Sequence, residues 1–150
     1  MRAVIQRVFR AEVRSGGISV GAIGEGLLVY LGVSERDNDT DAAYIADKVH
    51  QLRIFPDTEG RMNTSLCEHR SPAALVVSQF TLYGDTRKGR RPSYNHAAAA
   101  EQAEARYLQV CTLLRNKGVT VATGKFQALM EVESVGDGPV TILVDSHKQF

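Results

Sequence analysis

The sequence predicts an α+β fold: mostly antiparallel β-sheet, of β-roll type, with two main helices. Three observations predict it. Only two segments carry helical spacing, strand-like segments outnumber them, and many links between strands are short and turn-like, so strands and helices do not alternate strictly. A length of 150 residues lies in the range of one ordinary domain, and residues 1–150 are read as one. With 43% hydrophobic and 23% charged residues and no long polar or Pro-rich tract, the chain falls among folded globular proteins.

The elements follow in order. Across residues 2–14, Ala3, Ile5, Phe9, Ala11 and Val13 occupy one face of an extended strand; Arg2, Gln6, Arg10, Glu12 and Arg14 occupy the other, with Arg7 as the exception. Ser15-Gly16-Gly17 supplies a tight turn, and Ile18, Val20 and Ala22 alternate on the way back, making a hairpin. Residues 27–33 are apolar on both faces, as a covered central strand requires. The capping oxygens of Asp37, Asn38, Asp39 and Thr40 precede Ala42, Ile45, Val49 and Leu52 at helical spacing, predicting a helix that closes before Pro56. Residues 57–72 read as a loop with at most a short strand, and 74–80 as a second buried strand. Residues 87–92 form a basic, flexible connection. A second helix is predicted from about Asn95, with Ala100, Ala103, Tyr107, Val110 and Leu114 as its apolar stripe and Gly118 as its stop. Short strands at 119–123, 128–134 and 140–144 finish the chain, the last two joined by a turn at 136–139.

Composition restricts function. The formal net charge of +1 is far from the basic balance of a protein that grips long nucleic acid, so no DNA partner is expected. No apolar run has signal-peptide or membrane-span length, which predicts a cytoplasmic protein without a membrane partner. Cys67 and Cys111 lie in no CxxC or Cys/His pattern. His50, His69, His96 and His147 are far apart and read as exposed or capping residues, so neither metal nor other cofactor is expected. GxSxG, Walker, HExxH and GxGxxG signatures do not occur. Ser78 and Thr81 bracket a strand end, where a hydroxyl can face a cleft; Thr81 reads either as a backbone hydrogen-bonding residue or as a nucleophile lacking a local base. Pro139 reads as an ordinary turn proline, since only about one X-Pro bond in twenty is cis.

Two tetrapeptides change the reading. Ser78-Gln79-Phe80-Thr81 and Gly138-Pro139-Val140-Thr141 resemble the SQxT and NxGPVT signatures of the D-aminoacyl-tRNA deacylase family. MRAVIQRV at the start, GLLVYLGV at 26–33, KVHQLRIF at 48–55, RMNTSL at 61–66 and KGRRPSY at 88–94 also resemble family blocks, in family order. The chain departs from the pattern at Gly136, where the motif has Asn, and at Phe126-Gln127-Ala128-Leu129-Met130, where FGADM is usual.

The resemblance implies a cofactor-independent homodimer acting on the aminoacyl-tRNA 3′ end in translation quality control. Ser78, Gln79, Phe80 and Thr81 would be catalytic. Gly138 and Pro139, joined by a cis bond, would enter the other subunit's pocket and reject L-amino acids. Phe80, Met130 and Tyr94 would line the terminal adenosine pocket, and Met130 reads equally well as core packing. Arg87, Lys88, Arg90 and Arg91 would hold tRNA phosphates; as a bare cluster they read as a solvated loop. The resemblance also implies chemistry assisted by the ribose 2′-hydroxyl. Rivals are a Thr81 nucleophile, a non-catalytic tRNA-binding homologue and a general small-ester hydrolase.

Overall fold

The computed structural model describes all of residues 1–150. Its elements are β1 (Arg2–Ser15), β2 (Ile18–Ile23), β3 (Gly26–Gly32), α1 (Asp39–Gln51), β4 (Arg53–Pro56), β5 (Met62–Ser65), β6 (Ala73–Ser78), α2 (Ala100–Asn116), β7 (Thr120–Thr123) and β8 (Glu131–Asp145). β1 organises the main sheet. One of its edges bonds β3 along the first half and β2 along the second, while β8 runs antiparallel along the other edge. β3, β6 and β7 continue the sheet in parallel, because α1 and α2 lie in the connections that cross over between them. The sheet then curls until β2 approaches β7, where a Cβ on Gly21 would collide with the Thr123 carbonyl oxygen. Antiparallel pairing dominates, and the sheet is nearly closed and barrel-like, as the α+β expectation requires.

Burial on both faces explains the central strands. Leu27, Val29 and Leu31 of β3 and Ala74 and Val76 of β6 pack toward the helices with Ile45, Val49, Val110 and Leu114. Leu28, Leu75 and Val77 point the other way into the smaller core inside the curl, with Val8, Ala11 and Val13. Asn38 caps α1: its Oδ1 accepts from Thr40 N at 2.8 Å, and Asp41 Oδ2 accepts from Asn38 N at 2.9 Å, a reciprocal capping box.

Four elements differ from the sequence reading. Phe9 is 55% exposed rather than core, and Val8 is buried in its place, because β1 shifts register against β8 between Gln6 and Arg10 and so changes face. The first helix closes before Pro56 as expected, ending at Gln51, but Arg53–Pro56 then forms an unexpected strand with Met62–Ser65. The second helix starts at Ala100, not Asn95, since Ala98 N donates to Val33 O at 3.0 Å and holds the preceding residues against the end of β3. Residues 136–139 do not join two strands in a hairpin. β8 is one strand from Glu131, and residues 137–140 bulge from a ladder in which Gly136 pairs Val8 and Thr141 pairs Gln6.

Candidate active site

β6 delivers the first motif. Its strand ends at Ser78, Gln79 N donates to Leu31 O at 2.8 Å, and the chain then tightens into a 3₁₀ turn at Phe80–Tyr83. Phe80 and Thr81 open that turn, so their N–H groups have no acceptor within it. The Gln79 amide donates to Thr81 Oγ1, and Gly84 N closes the turn on Thr81 O at 2.9 Å.

Beside this turn lies a cavity of about 760 Å³. Val77, Ser78, Gln79 and Phe80 form one wall, the start of α2 with Ala100 and Ala103 a second, and the 126–130 segment a third. That third wall is shaped around sulfur: Lys125 N lies 3.3 Å from Met130 Sδ, and Ala128 N donates to Lys125 O at 3.3 Å. Gln127 completes the turn at φ 56°, a left-handed conformation uncommon outside glycine. No carboxylate, amine, imidazole or thiol lines the cavity. Its polar side chains are Ser78, Gln79 and Gln127, a set that can orient and hydrogen-bond a substrate but cannot exchange protons near neutral pH.

The structure therefore brings Ser78, Gln79, Phe80 and Met130 to one cavity. Thr81 adjoins them through Gln79, and Tyr94 packs edge-on against Phe80, with centroids 5.1 Å apart, outside the cavity lining. Gly138 and Pro139 are elsewhere. The nearest β8 residue in the lining is Val132, and Gly138 lies six residues farther along the strand, about 20 Å of extended chain. The Gly138–Pro139 peptide is cis, and both residues are exposed.

Arg7, the exception in its strand, explains how that loop is held. Its side chain is 9% exposed; Nε forms an ion pair with Asp137 Oδ2 at 2.7 Å, and Nη1 donates to Ile54 O at 2.5 Å. A charge on the otherwise apolar face of its strand was the available signal, and it lacked a visible partner because Asp137 lies 130 positions away.

The basic run is not uniform. Asp85 and Ser93 close its loop through two backbone hydrogen bonds of 2.8 and 3.0 Å. Arg87 is committed to Asp85 at 2.9 and 2.6 Å, and those hydrogen bonds hold the Asp85 carboxyl well below the usual carboxylate range. Lys88, Arg90 and Arg91 are exposed.

Two other groupings are structural. Asp37, Asp41 and His147 converge although distant in sequence, but the Met1 ammonium already occupies Asp37 Oδ1 at 2.7 Å and supplies the compensating cation. Cys111 is fully buried, and burial pushes its thiol up to about 11, which fits a small core side chain rather than a nucleophile.

A curled mixed sheet with an apolar cavity at the end of a parallel strand, bordered by a Ser-Gln-Phe-Thr turn, defines the class of protein. The family model described as D-Tyr-tRNA(Tyr) deacylase matches residues 4–145, and the chain belongs to that family. It is 57% identical to a D-aminoacyl-tRNA deacylase of Anaeromyxobacter dehalogenans and 56% to one of Symbiobacterium thermophilum, over all of this chain and 100% and 99% of theirs. The solved structure named c-Myc DNA Unwinding Element Binding Protein superposes with a TM-score of 0.90 at 38% identity, covering 97% of this chain and 98% of its own. A probable eukaryotic D-amino acid tRNA deacylase shares the fold, with a TM-score of 0.81 at 21% identity over 95% of this chain and 97% of that one.

Proposed function

We propose that the protein hydrolyses the ester joining a D-amino acid, or glycine, to the 3′ end of tRNA, releasing free tRNA as a step of translation quality control in the cytoplasm. The observation that carries this reading is the cavity itself: it sits beside the family's motif turn yet offers no titrating side chain. Hydrolysis of an amide would demand more. An aminoacyl ester is already activated, so a site that orients it and stabilises its oxyanion is sufficient. The N–H groups of Phe80 and Thr81, with the Gln79 amide, are the donors for that oxyanion. The adjoining ribose 2′-hydroxyl assists the attacking water. Phe80, Met130 and Tyr94 frame the terminal adenosine. The DNA binding in the name of the 38%-identical structure gains no support from a net charge of +1.

Handedness requires a second subunit in this account. The outer edge of β8 is unpaired, Val135 and Leu143 are exposed along it, and the 137–140 bulge projects from it. In a two-fold dimer, Gly138 and Pro139 reach the partner's cavity and their carbonyl oxygens accept from the substrate α-ammonium. An L side chain then meets the wall, whereas a D side chain or the hydrogen of glycine points outward, a selection by steric exclusion.

Purified protein is expected to cleave D-tyrosyl-tRNA and glycyl-tRNA and to spare L-tyrosyl-tRNA. Cleavage of none would leave a tRNA-binding homologue, and cleavage of all three a general esterase. A Thr81 nucleophile is the competing route; its hydroxyl accepts from an amide, and no base adjoins it. Thr81→Ala is expected to retain turnover within a few-fold, and complete loss with intact binding would establish the covalent route instead.

A further inference from the structure

On the other side of the Phe80–Tyr83 turn lies a second cavity, of about 630 Å³. Tyr83, Gly84, Asp85, Thr86 and Arg87 continue the motif turn into it, just as Ser78, Gln79 and Phe80 belong to the first cavity; His96 faces the second and its neighbour Ala97 the first. One 3₁₀ turn, about 6 Å long, and one extended segment thus separate the two.

The hydrogen-bonding capacity of this second cavity is uneven. Both of its carboxylates are spent: Asp85 accepts from Arg87, and Asp145 accepts from Arg2 Nε at 3.0 Å and His147 N at 2.7 Å. Arg2 is spent as well, on Asp145, on Leu82 O at 3.0 Å and on Gln149. What is left unspent is donors. Arg36 comes no closer than 4.0 Å to Glu35 and His96 no closer than 3.8 Å to the same carboxylate, both beyond hydrogen-bond length, and Thr86 adds a hydroxyl. Counting Arg2 against Asp145 and Arg87 against Asp85 leaves Arg36 as the one uncompensated charge of the lining, so the rim is cationic. A pocket whose acceptors are occupied and whose donors are free is suited to an anion.

We infer that this cavity is a subsite for a phosphodiester of the substrate's own single-stranded 3′ end, held by Arg36, His96 and Thr86 while the terminal nucleoside occupies the neighbouring apolar cavity. The inference rests on the deacylase reading and adds to it a second, non-catalytic anchor that senses RNA backbone rather than base or amino acid. Single-strand contacts of this kind are sequence-tolerant and salt-sensitive.

The test compares two substrates of the intact protein: a D-aminoacyl-tRNA, and the corresponding D-aminoacyl-adenosine, which keeps the ester and nucleoside but has no upstream phosphate. The double variant Arg36→Gln/His96→Gln is expected to raise KM for the tRNA about tenfold with kcat unchanged, and to leave the adenosine ester unaffected. The slope of log affinity against log salt should fall by about 0.7 for each phosphate that is no longer neutralised. Unchanged tRNA KM, or an equal loss on both substrates, overturns the inference while the wild-type activity upholds the deacylase reading. A wild-type protein inert toward both esters overturns the two together. Inorganic phosphate serves as the control ligand: if it raises the thermal midpoint of wild type but not of the variant while tRNA KM stays fixed, the site takes a free anion and the phosphodiester assignment fails.

Discussion

The end of β6 and the bulge at 137–140 carry the two motifs of one proposed site, yet they are built in opposite ways. The β6 motif grows out of the most buried strand pair of the molecule, with core on both faces and a helix behind it. The bulge sits on an outer edge, exposed at Gly138 and Pro139, and is fastened to the sheet by one ion pair from Arg7. The interior half is positioned by packing distributed over many side chains, whereas the edge half depends on a single charged anchor. A substitution should therefore damage the second more sharply than the first, and that asymmetry can be tested.

The largest effect is expected at the anchor. Arg7→Leu leaves Asp137 without its cation and Ile54 O without its donor, and removing one member of such a pair costs about 2–4 kcal/mol. Urea unfolding should register that loss, and turnover of a D-aminoacyl-tRNA should fall at least tenfold; Asp137→Asn should lose a comparable amount, since it leaves the buried Arg7 guanidinium without its counter-charge. A smaller effect is expected in the interior half. Met130→Ala removes the sulfur around which residues 124–130 fold and should cost about 2 kcal/mol, toward the low end for a truncation at a half-buried site, with KM rising several-fold and kcat little changed. Equal damage at the two positions would erase the contrast.

The smallest effect concerns how dry the core is beneath α2. Burial raises the Cys111 thiol to about 11 from an ordinary value near 9. The folded chain then keeps a proton that the unfolded chain releases, so stability is full below about pH 9 and declines as pH rises toward 11, at up to about 1.4 kcal/mol per pH unit. Tyr107, also held protonated by burial, adds a decline of the same sign above about pH 10. The Cys111 share is read between pH 9 and 10, as the difference in slope between wild type and Cys111→Ala. Identical slopes would show the thiol to be hydrated and the core beneath α2 wet.

Much of the fold was legible because it rests on local pattern. The hairpin at Gly16-Gly17, the two-faced apolar strands and the Asn38 cap each declare themselves within a few residues. The first motif was legible as chemistry only through resemblance, since its backbone N–H groups carry no side-chain signature. Illegible features were those fixed by distant partners. Phe9 leaves the core because β8 forces a register shift, Ala98 leaves the second helix because Val33 captures its N–H, and the 137–140 bulge replaces a hairpin because β1 offers one continuous edge. The polar cavity beside the motif turn was invisible for the same reason: its residues come from five separate stretches of chain.

The central claim is that each site is shared across a two-fold axis, and mixing two defective variants tests it most directly. Ala100→Trp fills the apolar cavity from the exposed first turn of α2 and leaves the bulge intact; Gly138→Val forces the bulge to move, because a Cβ there would lie 2.7 Å from Val140 N, and leaves the cavity intact. Each variant alone should be nearly inactive toward D-tyrosyl-tRNA. After unfolding and refolding as an equal mixture, the account predicts recovery of about a quarter of wild-type activity, because each mixed dimer regains one intact site. A mixture as inactive as its components, or either variant behaving as a monomer, would contradict it.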